Sequence, residues 1–184
     1  MSAIVENAIE RLTEFTDDDL EDLCEATDEA ILDGNGFGWL EPPKRNVLES
    51  YWRGVLLVPQ RELFVARHEG HIVGSAQLLV PPPNNEAMSH IAQLTTFFIA
   101  PWARGMGLAK GLMRAVEDSA RTKGFRFLDL DVRATQTAAI KIYEDAGFTR
   151  WAERPNYALV KGKYVPGHYY SKDLTKGAGR RRGR

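Results

Sequence analysis

A single cysteine, Cys24, in 184 residues excludes an intramolecular disulfide framework. No apolar run is long enough to span a bilayer, and the N-terminus lacks the basic-then-apolar pattern of a signal segment, so a cytoplasmic location is expected. The charge has no strong sign: 24 Lys and Arg against 25 Asp and Glu leave a net −1, which argues against nucleic acid as the main partner. No internal repeat is present, and no metal is expected. Cys24 falls on the apolar stripe of a helix and reads as a small core residue rather than a reactive thiol. Length suits one domain, assigned to 1–175, and the low-complexity basic end 176–184 reads as a solvated, disordered tail.

The elements are punctuated clearly. A strand is expected near Ala8–Leu12. Thr16 with Asp19 three residues on then opens a capped helix, whose Leu20, Leu23, Cys24, Thr27 and Ile31 recur at helical spacing until Gly34. Gly34 to Pro43 is a connector carrying Phe37 and Trp39. A second helix begins near Pro43, with Val47, Leu48, Tyr51, Trp52 and Val55 on its buried side. Leu63–Ala66 and Ile72–Val80 form a hairpin about Glu69-Gly70. Strands at His90–Ile99 and Arg126–Val132 enclose a helix, which implies a crossover and a parallel pair. A helix at Thr137–Ala146 and strands near Thr149–Val160 and His168–Leu174 complete the chain. The expected fold is α/β (α+β): a mixed, mostly antiparallel sheet of six to seven strands with a central parallel pair, flanked by about four helices.

Ile99 to Lys110 is where chemistry first shows. A strand breaks at Pro101 and passes through a loop with Gly105 and Gly107 into a helix bearing Leu108, Leu112, Met113, Val116 and Ala120 on one face, with Arg114, Glu117, Asp118 and Arg121 mainly on the other. Unpartnered amides at a helix start and the positive end of its dipole favour an anion, and Arg104 and Lys110 add cations beside it. The loop lacks the Gly-Lys-Ser/Thr ending of a P-loop and the three-glycine spacing of a dinucleotide fold.

On the strand Phe127–Val132, alternation places Leu128, Leu130 and Val132 on one face and Asp129 and Asp131 on the other. Two acids on one face of a central strand require water or a site there.

Arg104, Gly107 and Ala109 meet the pattern Gln/Arg-x-x-Gly-x-Gly/Ala, and Leu130 to Phe148 ends a strand-helix segment in Tyr-x-x-x-Gly-Phe. In order and distance these two motifs resemble those of the GNAT superfamily of N-acetyltransferases. The resemblance implies acetyl-CoA as acetyl donor, with its pyrophosphate on Arg104, Gly105, Met106, Gly107, Leu108, Ala109 and Lys110. The backbone of Phe97, Phe98 and Ile99 would lie along the pantetheine arm, one N–H polarising the thioester carbonyl. Gln136 stands where many relatives have a cofactor-contacting Asn, which puts that contact in doubt. Tyr143 matches the family's proton donor to the leaving thiolate.

An alkyl amine is almost wholly protonated at neutral pH and must lose a proton before it attacks. Asp131 sits where the ribosomal-protein N-terminal acetyltransferases carry an acidic base, in a similar Leu-acid-Val-Arg run, and is the leading base candidate. Within the superfamily the chain loosely resembles the tabtoxin-resistance type of small-molecule acetyltransferase, through Gly36 to Trp39, Tyr51-Trp52, Gly74 to Leu78, Tyr157 and Tyr169 to Leu174. That type carries a glutamate where Gln93 aligns, and Gln93 cannot act as a base. His90 or a held water is the alternative proton route. Trp39, Gln93, Asp131 and Tyr157 are the candidate substrate contacts.

The expected function is N-acetylation of a small-molecule amine by direct attack on the thioester, by a monomer or homodimer with no membrane or nucleic-acid partner. Protein or peptide N-terminal acetylation and a non-enzymatic acyl-CoA-binding module are the alternatives.

Overall fold

The computed structural model describes residues 6–34 and 37–176; of the basic end 176–184 all but Lys176, and likewise Gly36, lie outside the described residues. Seven strands, β1 (Asn7–Leu12), β2 (Arg61–His68), β3 (His71–Leu79), β4 (Ile91–Ile99), β5 (Phe127–Arg133), β6 (Thr149–Val160) and β7 (Lys163–Asp173), form one sheet in the order β1-β2-β3-β4-β5-β7-β6. The β4/β5 pair is parallel, while β1/β2, β5/β7 and β6/β7 are antiparallel. Among the described residues the α-helices are α1 (Asp17–Leu32), α2 (Arg45–Leu57), α3 (Leu108–Thr122) and α4 (Thr137–Asp145). None is long and apolar enough to cross a membrane.

Two compact units divide the chain. The first takes in residues up to Gln77 together with Thr96–Val116. There α1 opens as its sequence dictates: Thr16 Oγ1 accepts from the Asp19 N–H and the Asp19 carboxylate accepts from the Thr16 N–H, a reciprocal capping box. Leu23, Cys24, Leu48, Trp52, Leu63 and Val65 form its core. Trp52 is buried without an orphaned donor, because its Nε1 donates to Thr27 Oγ1 at 3.2 Å and that hydroxyl in turn donates to the Leu23 carbonyl at 2.6 Å. Val47 is 45 % exposed, contrary to its expected buried side. Helix α2 begins at Arg45, near Pro43 as expected, and its buried stripe runs through Leu48, Trp52 and Val55, which leaves Val47 on the side turned to solvent.

The second unit takes in Leu78–Thr95 and the chain from Glu117. Its parallel ladder pairs Ile91 with Phe127, Ala92 with Leu128 and Gln93 with Asp129. Strand β7 is longer than its sequence suggests, starting at Lys163 after a Lys161-Gly162 turn in which both residues have positive φ. Pro166 conceals this, since proline demotes a strand reading. It is accommodated because the β6/β7 register shifts between Arg154 and Ala158, opposite it. Glu117, expected on the solvent face of α3, is 6 % exposed. Lys172 Nζ approaches its carboxylate to 2.6 Å and Arg121 to 3.1 Å, so the buried charge is met from two sides.

Candidate active site

In the first unit β4 ends at Ile99, a 3-10 turn spans Pro101–Ala103, and the chain curls through Gly105 and Gly107 into α3. Both glycines have left-handed backbone, with φ +81° and +79°, and a Cβ on either would meet nothing within 4 Å. Glycine is therefore demanded by conformation rather than by crowding, and space beside the turn is open. Gly105, Met106, Gly107 and Lys110 are exposed, and the Asn7 amide reaches the Met106 carbonyl at 3.5 Å. Arg104 is held at 2.8 Å by Asp33, the residue that ends α1. An open glycine turn at a helix start, flanked by Arg104 and Lys110, fits a pyrophosphate.

Upstream of the loop, Thr96 has φ +49° in mid-strand. A threonine there is a genuine outlier, and it kinks β4 immediately before Phe97, Phe98 and Ile99. The Phe98 ring joins the core beside Phe37 (5.0 Å) and Trp52 (6.5 Å). Trp39 stacks on Phe37 and meets Tyr51 edge-on at 5.1 Å, so this candidate substrate contact belongs to an aromatic wall that is partly packed.

In the second unit, alternation on β5 leaves Asp131 exposed while Leu128, Leu130 and Val132 are buried. Asp129 accepts from Ser171 Oγ at 2.6 Å, which satisfies one of the two acids. Asp131 instead accepts a hydrogen bond from the Tyr157 hydroxyl. Tyr157 can reach it because Gly167 lies under its ring: a Cβ there would collide with the ring atoms. Tyr143, on α4, is 6 % exposed and packs against Phe148 and Tyr170. Burial first, and then the charge of Asp131, push the Tyr143 phenol well above its ordinary value, and burial with the Asp131 hydrogen bond does the same to Tyr157. Both hydroxyls therefore keep their protons throughout the neutral range. The structure thus places Tyr157 on the Asp131 carboxylate by a hydrogen bond, and the charge of the same carboxylate acts on Tyr143.

Gln93 is exposed and opposite Asp129 in the ladder. His90, also exposed, precedes β4 and accepts from the Arg126 and Phe127 N–H groups through its carbonyl. Gln136 caps α4 by position only, with no side-chain bond to the helix amides. Sequence reading missed Asp33, Ser171 and the role of Gly167. The last carried a signal, since glycine inside a strand pattern marks a close approach.

Residues 20–148 match the acetyltransferase (GNAT) family. The chain belongs to that family. A GNAT relative, the N-acetyltransferase of the hisH-hisA intergenic region of Azospirillum brasilense, is 57 % identical over 128 residues, 70 % of this chain and 76 % of that protein. An aminoglycoside N(6')-acetyltransferase type 1 from Klebsiella aerogenes is 28 % identical over 107 residues, 58 % of this chain and 70 % of its own. In structure, the chain is similar to an N-acetyltransferase from Staphylococcus aureus Mu50, with TM-score 0.78 and 20 % identity over 92 % of this chain and 99 % of the other. The fold is accordingly the GNAT fold, the chain is an N-acetyltransferase, and its acetyl donor is acetyl-CoA.

Proposed function

We propose that this GNAT enzyme acetylates a primary amine of a small molecule, and that residues 1–175 make up its catalytic domain. Acetyl-CoA, when bound, supplies the acetyl group as a thioester. The observation that carries the reading is the trio about one carboxylate: Tyr157 bonded to Asp131, and Tyr143 protonated in the field of the same Asp131. Asp131 takes the proton that the ammonium must lose, directly or through water. Tyr143 holds a proton on Oη for the leaving sulfur. The backbone of Phe97, Phe98 and Ile99, beyond the kink at Thr96, orients the pantetheine arm, and one N–H there polarises the acyl carbonyl. Arg104 and Lys110 with the turn Gly105, Met106, Gly107, Leu108 and Ala109 hold the pyrophosphate, and Gln136 contacts the arm. Trp39, Gln93 and Tyr157 face the acceptor. A small acceptor is supported by the aminoglycoside-acetylating relative.

Release of free CoA, measured with acetyl-CoA and a panel of small amines and peptide N-termini, tests this. Turnover of one or more small amines, at a higher kcat/KM than any peptide, is expected. Turnover confined to peptide N-termini would replace the acceptor class, and no release with any amine would leave a binding module.

A further inference from the structure

Arg61 opens β2 half-buried, and among the described residues no carboxylate pairs with it. The neighbouring cations on the first two strands are answered: Arg11 meets Glu62 at 3.1 Å, and Arg67 meets Asp19 at 2.8 Å and Glu10 at 2.7 Å. Arg61 is instead the end of a chain of neutral groups. Its Nη1 donates to Gln77 Oε1 at 2.7 Å, and Gln77, 0 % exposed, donates from Nε2 to the Tyr51 hydroxyl at 3.4 Å. Tyr51 Oη lies 3.4 Å from Thr96 Oγ1, and Ser75 Oγ donates to the Thr96 carbonyl at 3.4 Å.

Two features make this more than a packed arginine. A half-buried guanidinium without a counter-charge retains most of its donors for an anion, and its flat fork matches a carboxylate in two-point contact. The chain of groups also ends on Thr96, the kinked residue adjoining the backbone to which the acyl carbonyl was assigned. Tyr51 further meets Trp39 edge-on, so the polar chain lies against the aromatic wall proposed to face the acceptor. Arg61 and Thr96 are thus the two ends of one hydrogen-bonded chain, with Arg61 at the half-buried end and the buried Gln77 as its link.

We infer that Arg61, with Gln77 and Tyr51, is a subsite for an acid group on the acceptor, so that the substrate class is a carboxylate-bearing amine. This rests on the small-amine reading above and narrows it. Gln77 and Tyr51 act as positioning residues: Gln77 fixes the guanidinium, and Tyr51 fixes Gln77 against β4.

Matched pairs of substrates test the subsite: α- and ω-amino acids, and the amines that remain when their carboxylates are removed. Wild-type protein should prefer the acid-bearing member of the best pair. Arg61→Met should raise KM for that member about ten- to a hundredfold, the worth of a charged hydrogen-bonded contact, while KM for the plain amine changes by less than about twofold. Arg61→Lys should recover part of the difference. Circular dichroism melts check that each variant is folded. Calorimetry with the same amino acids, with CoA present, reads the subsite independently of turnover and should show weaker binding to Arg61→Met. Equal losses for both members of a pair, a wild-type preference for the plain amine, or amino-acid binding indifferent to Arg61 would each overturn the subsite. Absence of turnover with any amine, alongside Arg61-dependent binding of amino acids, would instead sink the small-amine transferase reading alone.

Discussion

Asp131 and Tyr143 invite opposite tests, because one must lose a proton and the other keep it. Tyr143→Phe removes only a hydroxyl, so acetyl-CoA binding should persist while turnover slows by about ten- to ten-thousandfold, the range of a positioned acid. Equal rates would exclude the role. Asp131→Asn keeps the size of the side chain and should depress the rate at neutral pH far more than in alkaline solution, where neutral amine forms without help. A profile parallel to wild type at the same height would remove Asp131 from the mechanism. A readout besides activity exists: the charge of Asp131 raises both Tyr143 and Tyr157, so in Asp131→Asn both phenols should titrate nearer their ordinary value, as followed by tyrosinate absorbance. At this scale the sequence was informative about identity and silent about partners. The alternation of Leu128 to Val132 and the motif around Tyr143 show which residues stand out. That Asp129 is answered by Ser171 and Asp131 by Tyr157 depends on the β5/β7 and β6/β7 registers, which no local pattern encodes.

Among the elements, the glycine turn before α3 is the most constrained. Gly107 has φ +79° and an open Cβ position, so Gly107→Val should leave the fold intact at a cost of about 1–3 kcal/mol in local strain while distorting the anion-binding amides. The thermal shift given by acetyl-CoA should disappear in that variant, and an undiminished shift in a folded protein would overturn the loop assignment. The β6/β7 hairpin carries a second test. Gly167→Ala would drive a methyl group into the Tyr157 ring and move its hydroxyl off Asp131, so the displaced phenol should titrate nearer its ordinary value while activity falls to that of Tyr157→Phe; an unchanged tyrosine titration would show that the hairpin had merely loosened. Helices α1 and α3 were legible because caps, glycines and apolar stripes agree there. The start of β7 was not, because Pro166 interrupts the strand pattern and only the register shift in β6 makes room for it.

For the molecule as a whole, ligand and pH act through linkage. Acetyl-CoA binds only the native form, so the melting temperature should climb with its concentration. The buried phenols set an alkaline limit. Tyr143, Tyr157 and Tyr170 are all raised above their ordinary value of 10.0 in the fold. Below that pH both folded and unfolded chains keep these protons and stability is unaffected; above it the unfolded chain releases protons that the fold retains, and stability falls as pH rises. Melting curves at increasing alkalinity should show the fall, and Tyr143→Phe should lessen it. A melting temperature flat above pH 10.0 would contradict the raised phenols.

The buried pair of Glu117 and Lys172 has a consequence for how such a chain can diverge. The dependence is one-sided: losing Glu117 would leave Lys172 without its carboxylate, at a cost of up to about 3–5 kcal/mol, a large part of a typical domain's stability, whereas losing Lys172 would still leave Arg121 to answer Glu117. Descendants of this sequence should therefore shed Lys172 before Glu117. Lineages that lost Glu117 should carry a neutral or apolar residue at position 172, and those that lost Lys172 should keep Glu117 only where Arg121 remains, so that across many relatives the three columns change in a fixed order.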